Sequence, residues 1–506
     1  MLLPRSSGIL LHPTSFPSRF GIGDLGSQAY KFIDFLVESN QQFWQILPLG
    51  PTGYGNSPYM SYSAMAGNPL LISPEKLQED GLLADADLAN VAEFSLDRVD
   101  YEPVIPTKWQ LLRQACTNFK ANTPEEQQQE FAQFCQAKAS WLEDYALFMA
   151  LHQAFDETSW HTWEPEIAKA QPEAVEKWRQ QLSEEIYFHK YLQFEFYRQW
   201  SSLKKYANDK RIQIIGDIPI YVAHHSADVW AHREIFAIDE ETGEVAWMAG
   251  VPPDYFSETG QLWGNPVYNW QELEKENFQW WIERIRRMFE YVDVLRIDHF
   301  RGFEAYWEVE KGEETAINGR WVKAPGTALF EVLRKELGDL PIIAEDLGII
   351  TPEVEELRDS FEFPGMKILQ FAFGGGPGNP YLPFNLTRNC IVYAGTHDND
   401  TTRGWFNQIP DYERDNLLRY LGGISPDGVN WDLIRLALSS IANLAIITVQ
   451  DLLDLGEEAC MNKPGTTQGN WEWRYLPDAL TPALSDRLKT LTYIYGRAPQ
   501  PQEQEN

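Results

Sequence analysis

Apolar residues in this chain gather in short runs, most of them closed by a polar or acidic residue, with longer stretches of helical spacing between them. Runs at residues 8–12, 43–49, 212–217, 292–298, 341–346, 366–371, 391–396 and 444–449 are the length of strands and are rich in Ile, Val and Leu. The intervening stretches repeat apolar residues every three or four positions and predict helices, as at 30–37, 108–121, 124–155, 173–208, 274–290 and 331–337. Strands that alternate with helices imply a parallel sheet. Eight of them imply an α/β protein built as a closed (β/α)8 TIM barrel, with a doubly wound open sheet as the alternative. From 74 to 209 strand signals fade and helical patterns take over. In the last of these Phe196, Trp200, Leu203 and Ala207 mark one buried face. The expectation is one barrel over residues 1–506, carrying a mainly helical insertion subdomain at 74–209.

Four of the predicted strands end in the same kind of chemistry. The run at 292–303 delivers Arg296 and Asp298 to one face, because strand side chains alternate, and follows them with His299 and Arg301. The runs ending at Asp217, at Glu345 and Asp346, and at His397 and Asp398 are also apolar and then acidic. In a parallel barrel all strand C-termini meet on one rim, where catalytic residues collect. Carboxylates from four strands on one rim suit the cleavage of a glycosidic bond, which needs one ionised and one protonated acid. Asp298 lies beside Arg296 on a strand face, which favours its charged form and makes it the nucleophile candidate. Glu345 has no adjacent cation and is the general acid/base candidate. Spacing alone leaves Asp346 open as its alternative. Asp398 is a third acid suited to hydroxyls near the reacting carbon. Asp217 either serves the site or caps the turn before Pro219.

Two long loops add candidates. Residues 53–63 are rich in Tyr, Ser and Asn, which can stack on and hydrogen-bond a polyol. Residues 250–266 have Gly and Pro at both ends and aromatics between, the composition of an active-site lid. A literal GxGxxG stands at 21–26. A nucleotide-binding reading fails on context, because eight residues, 13–20, separate it from its strand and the next strand ends without an acid for a ribose. Its glycines are read as turn formers. No cofactor is expected. No metal is expected either: His224, His225 and His299 are the only close candidates for ligands, no paired ligand spacing appears, and neighbours in a strand face opposite ways.

Charge narrows the partners. Lys and Arg number 42 against 74 Asp and Glu, a net −32, which argues against nucleic acid and against anionic membrane surfaces. A neutral sugar remains compatible. Cys116, Cys135, Cys390 and Cys460 are widely spaced and read as reduced thiols. With no membrane-length apolar run and no signal-like start, a cytoplasmic protein is expected.

At these residues the chain resembles the 4-α-glucanotransferases of glycoside hydrolase family 77, the amylomaltases and disproportionating enzymes. The resemblance is carried by residues 21–26, 54–59 through 67–70, 216–222, 250–266, 295–302, 344–348 and 395–399, and covers nearly the whole chain. It implies a (β/α)8 barrel with helical insertions. It also implies Asp298 as nucleophile, Glu345 rather than Asp346 as acid/base, and Asp398 as transition-state stabiliser. Sugar contacts are implied for Ser57, Tyr59, Asp217, Trp263, Arg296, Phe371 and His397, with Tyr255 and Phe256 covering the donor. The implied reaction is transfer of α-1,4-glucan segments between maltooligosaccharides or longer glucans by a monomer or homodimer, including intramolecular cyclisation. An α-glucan hydrolase and a non-catalytic glucan-binding barrel are the alternatives.

Overall fold

Among the described residues, twelve strands divide between a barrel and a smaller sheet. β1 (Ser6–Leu10), β2 (Phe43–Gln45) and β3 (Gln213–Ile218) pair in parallel. β4 (Trp247–Val251) and β5 (Gln261–Pro266) then form an antiparallel hairpin outside the barrel. β6 (Val294–Ile297) returns to the barrel, whereas β7 (Ala305–Glu310) and β8 (Arg320–Lys323) extend the hairpin into a four-stranded sheet of order β5-β4-β7-β8. β9 (Ile342–Ala344), β10 (Gly365–Ile368), β11 (Cys390–Tyr393) and β12 (Leu444–Thr448) complete the barrel, in the order β10-β11-β12-β1-β2-β3-β6-β9. The computed structural model describes residues 3–89, 91–253 and 257–500. The fold is a (β/α)8 TIM barrel.

Strand parity decides what faces the axis. Leu10, Phe43, Ile215, Val294, Ile343, Met366, Ile391, Tyr393 and Ile446 fill the interior as one apolar plug. The residues between them in sequence, such as Ile9, Trp44, Ile214 and Leu295, belong to the larger core between strands and helices. Both strand faces are therefore buried, which is why the runs read as continuously apolar.

The barrel meets itself at a seam between β9 and β10. There the Ala344 N–H donates to Pro364 O (3.0 Å), and the Met366 N–H donates to the Asp346 carboxylate (2.7 Å). Asp346 also pairs with Arg358 of the helix Pro352–Ser360. Asp346 thus points outward and stitches the seam.

Two predicted helices are each two helices. Residues 124–155 divide into Glu125–Ala137 and Ala139–Ala154, with non-helical backbone at Lys138. The first buries only Phe131 and Phe134, and the second is buried nearly all round, so one straight helix could not serve both environments. Residues 173–208 divide likewise into Pro172–Gln181, with no buried residue, and the deeply packed Ser183–Asp209. In the latter, the Trp200 indole donates to Tyr291 O (2.8 Å) and its ring lies 6.0 Å from Trp44 of β2. The helices that follow β2 thereby share the barrel's core. The segment 274–290 breaks at Asn277 and Phe278, both with positive φ. The residues 250–266 are strand at either end, in β4 and β5. At 21–26, Gly21 takes φ +80°, a turn conformation. No helix among the described residues is long and apolar enough to cross a membrane.

At the seam, a Cβ on Gly365 would stand 2.4 Å from Asp346 Oδ2. Gly365→Ala is expected to force the two apart and destabilise the fold by about 1–3 kcal/mol, read as a lower urea midpoint with an unchanged slope. An unchanged midpoint would contradict the seam's role.

Candidate active site

The four acidic strand ends converge. Asp217 and Arg296 are register partners on β3 and β6, and Arg296 pairs in register with Ile343 of β9. Continuing that register one step along the same face sets Asp298 beside Glu345. Two backbone bonds hold the strand ends together: Glu345 N–H to Ile297 O (3.1 Å) and Phe300 N–H to Glu345 O (3.1 Å). Parity also separates Glu345 from Asp346. Ile343 faces the axis, so Glu345 does as well, and Asp346 turns out to the seam.

Arg296 lies between two carboxylates. Nη1 donates to both oxygens of Asp217 (2.7 and 2.6 Å) and Nη2 to Asp298 Oδ1 (2.8 Å). Tyr59, from the loop after β2, donates its hydroxyl to Asp217 Oδ2 (2.8 Å) and meets His397 Nε2 at 2.7 Å. The phenol's one proton goes to Asp217, so it accepts from His397, and that imidazole carries its hydrogen on Nε2. The same nitrogen lies 3.2 Å from Asp398 Oδ2. Asn462 donates to the other oxygen of Asp398 (2.7 Å). Glu345 accepts from the backbone N–H groups of His299 (2.8 Å) and Leu347 (2.7 Å). His299 has φ +53°, uncommon for a residue other than glycine, and this left-handed turn aims its N–H at the acid.

The electrostatics separate the acids. Burial and the charge of Asp298 push the Glu345 carboxyl up to about 8, against Arg296 and the two N–H donors. Burial also lifts Asp298, to about 6, with Asp217 and Asp398 adding and Arg296 opposing. Arg296 alone therefore does not hold Asp298 in the low carboxylate range, but of the pair Glu345 keeps its proton longer. Burial raises Asp398 too, and there His397 and Asn462 outweigh it and bring it down to about 2.

The remaining candidates sit around this group. Ser57 Oγ accepts from the Tyr59 N–H (3.2 Å) and so shapes the loop that carries the phenol. Trp263 of β5 meets the His299 ring edge-on, with centroids 4.9 Å apart. Phe371, in the turn after β10, packs on the interior plug and meets Tyr381 at 5.4 Å. Tyr255 and Phe256 lie outside the described residues. Asn462 was not among the sequence candidates. It comes from the loop after β12, 64 residues beyond Asp398, and no local pattern marks it. Gln45 and Tyr393 also join the site floor, the Tyr393 hydroxyl donating to Gln45 Oε1 (2.8 Å). A glutamine inside an apolar strand is a signal that could have been read. Among the described residues no group of three or more His, Cys, Asp or Glu is placed to hold a metal.

A (β/α)8 barrel with carboxylates collected on its C-terminal rim is the framework of a glycoside-processing enzyme. The family model for 4-alpha-glucanotransferase, glycoside hydrolase family 77, matches residues 11–480. A 4-alpha-glucanotransferase from Synechocystis sp. is 56% identical over 499 residues, covering 98% of this chain and 99% of that one. One from Thermus thermophilus is 50% identical, covering 97% and 99%. The solved structure of an amylomaltase from Streptococcus agalactiae in complex with acarbose superposes with a TM-score of 0.95 at 42% identity, covering 98% of this chain and all of that one. The chain belongs to the 4-alpha-glucanotransferase family.

The rate should follow a bell in pH, rising as Asp298 loses its proton near pH 6 and falling as Glu345 loses its own near pH 8. Asp217→Asn removes a negative charge that raises Asp298, so the acid limb of the kcat/KM profile should move to lower pH. A move to higher pH would contradict this account.

Proposed function

We propose that this chain transfers α-1,4-glucan segments by double displacement with retention, in a site of three acids. Glu345 donates its proton to the glycosidic oxygen as that bond breaks, and the Asp298 carboxylate bonds to the anomeric carbon. Glu345, now ionised, takes the proton of an acceptor's 4-hydroxyl. That oxygen displaces Asp298, restoring both acids. Asp398, ionised and fixed by His397 and Asn462, faces the positive charge that builds on the sugar ring. Asp217, Arg296, Tyr59 and His397 hold its hydroxyls.

The observation that carries this reading is the β6–β9 register. Asp298 and Glu345 extend two paired, adjacent strands on the same face, the side-by-side arrangement that two carboxyls flanking one glycosidic bond require. Burial then leaves the proton on the acid that must give it. Transfer also requires a sugar hydroxyl to win over water. The β4–β5 hairpin, the predicted lid, supports this by bringing Trp263 against His299 beside Glu345. The proposal extends to a monomer or homodimer at work on free glucans in a reducing cytoplasm, as the acidic net charge and four free thiols suggest. A role in starch or glycogen metabolism is included in it.

Maltotriose as sole substrate should yield maltooligosaccharides longer than itself together with glucose. Products that are only shorter would make the protein a hydrolase. Glu345→Gln should lower kcat by about 10²–10⁴-fold, and full turnover by Asp298→Asn would remove Asp298 as the nucleophile. Trp263→Ala is expected to raise glucose release relative to oligosaccharide exchange, measured by chromatography. An unchanged ratio would remove the hairpin from the account.

A further inference from the structure

Large aromatic rings stand in solvent away from the acids. Phe384 is 60% exposed, Tyr412 57% and Tyr420 39%. Phe384 and Tyr420 form an offset pair, with planes 25° apart and centroids separated by 6.4 Å. Tyr412 and Tyr420 belong to the helix Asp411–Leu421, eight positions apart, and therefore share a face.

The rings are held rigidly. The edge of buried Phe373 backs Tyr420 at 5.7 Å. The Asn416 amide, on the same helical face, donates to Phe373 O (3.0 Å). The Tyr412 hydroxyl donates to Glu413 (3.0 Å). Rigid apolar surface left in water is costly and marks contact with something.

We propose that Phe384, Tyr420 and Tyr412 form a second α-glucan-binding surface, which holds the distal part of a long chain whose other end occupies the cleft. This rests on the glucan reading of the active site. Continuity with that site is what selects the occupant. Phe384 lies on the loop that begins at Phe371, and two side chains fold that loop on itself. Asn379 donates to Phe371 O (2.8 Å), and Asn385 donates to Asn379 O (2.8 Å). The aromatic pair is thus two hydrogen bonds from the rim of the cleft. Charge points the same way. The helix carries Asp411, Glu413 and Asp415 against Arg414 and Arg419, so the local charge is close to balanced, while the chain as a whole is at −32, which disfavours an anionic partner and leaves a neutral polyol indifferent. The apolar face of a glucose ring stacks on such rings, as sugars and bases do on exposed aromatics generally.

The test uses the full chain with Phe384→Ala/Tyr420→Ala and compares amylose with maltotriose. KM for amylose should rise several-fold while maltotriose kinetics hold, and retardation of the protein in a native gel containing amylopectin should weaken. Phe384→Trp should restore retardation. If maltotriose turnover fell in the double variant, the single change Phe384→Ser at this exposed position would carry the comparison. Unchanged amylose KM and retardation, with normal maltotriose turnover, overturn the proposal. A changed sedimentation coefficient with unchanged retardation also overturns it, because the patch would then join two copies of the chain. Absence of maltotriose turnover in the unmodified protein would instead reject the glucan reading itself.

Discussion

The Arg296 guanidinium lies inside the barrel mouth with hydrogen bonds to Asp217 and Asp298 and no exposed charge of its own. A buried cation of this kind dictates its surroundings. Removing one partner from such a group leaves an uncompensated charge and costs about 3–5 kcal/mol, so Asp217 and Asp298 are bound to it as firmly as it is to them. Burial works against its charge, and the two carboxylates outweigh burial and lift its pKa well above the ordinary value. One positive charge faces Asp217, Asp298, Asp398 and Glu345, and it cannot neutralise four acids. The shortfall is met by keeping a proton, and geometry decides where. Asp217 has both oxygens on the guanidinium and a phenol besides. Asp398 has His397 and Asn462. Glu345 has only backbone donors and a negative neighbour, and the proton stays there.

The barrel strands supply the charges and their loops supply the shape. Asp217, Arg296, Asp298, Glu345 and His397 are at or just beyond the ends of β3, β6, β9 and β11. Tyr59, Trp263, Phe371 and Asn462 arrive from the segments after β2, within the β4–β5 hairpin, after β10 and after β12. The rigid plug of Ile215, Val294, Ile343 and Tyr393 lies directly beneath. The acids are therefore placed to the precision of a packed core, whereas the loops around them set access and contact.

What could be read in the sequence follows from the range of each signal. Parity along a strand is local, so Arg296 and Asp298 could be placed on one face from their spacing. All eight barrel strands were visible for a similar reason, each being a short apolar run buried on both sides. Glu345 and Asp346 could not be separated by spacing, since the phase of that strand depends on which neighbour fills the axis, and Ile343 shows it only once folded. The breaks at Lys138 and Leu182 were hidden because helical spacing continues across them while the burial on either side changes. Asn462 was beyond reach: its partnership with Asp398 is a contact between loops after different strands. The charge argument for Asp298 named a real force, the Arg296 attraction, but a sequence gives no measure of the burial that opposes it.

Glu345 and Asp346 are consecutive acids with opposite assignments, one facing the barrel mouth and the other riveting the barrel wall. A shift of β9 by a single residue would exchange them. The acid that keeps its proton would then be turned outward to Arg358, and a shorter carboxylate would be left in the mouth. A strand of three residues has little pairing of its own to resist such slippage. The Asp346 bond to the Met366 N–H fits one alignment only, and so works as a detent that keeps Glu345 turned to the mouth. Mechanical closure of the cylinder and the placing of a protonated carboxyl in its mouth are thereby enforced by the same dipeptide, and selection on either would preserve both.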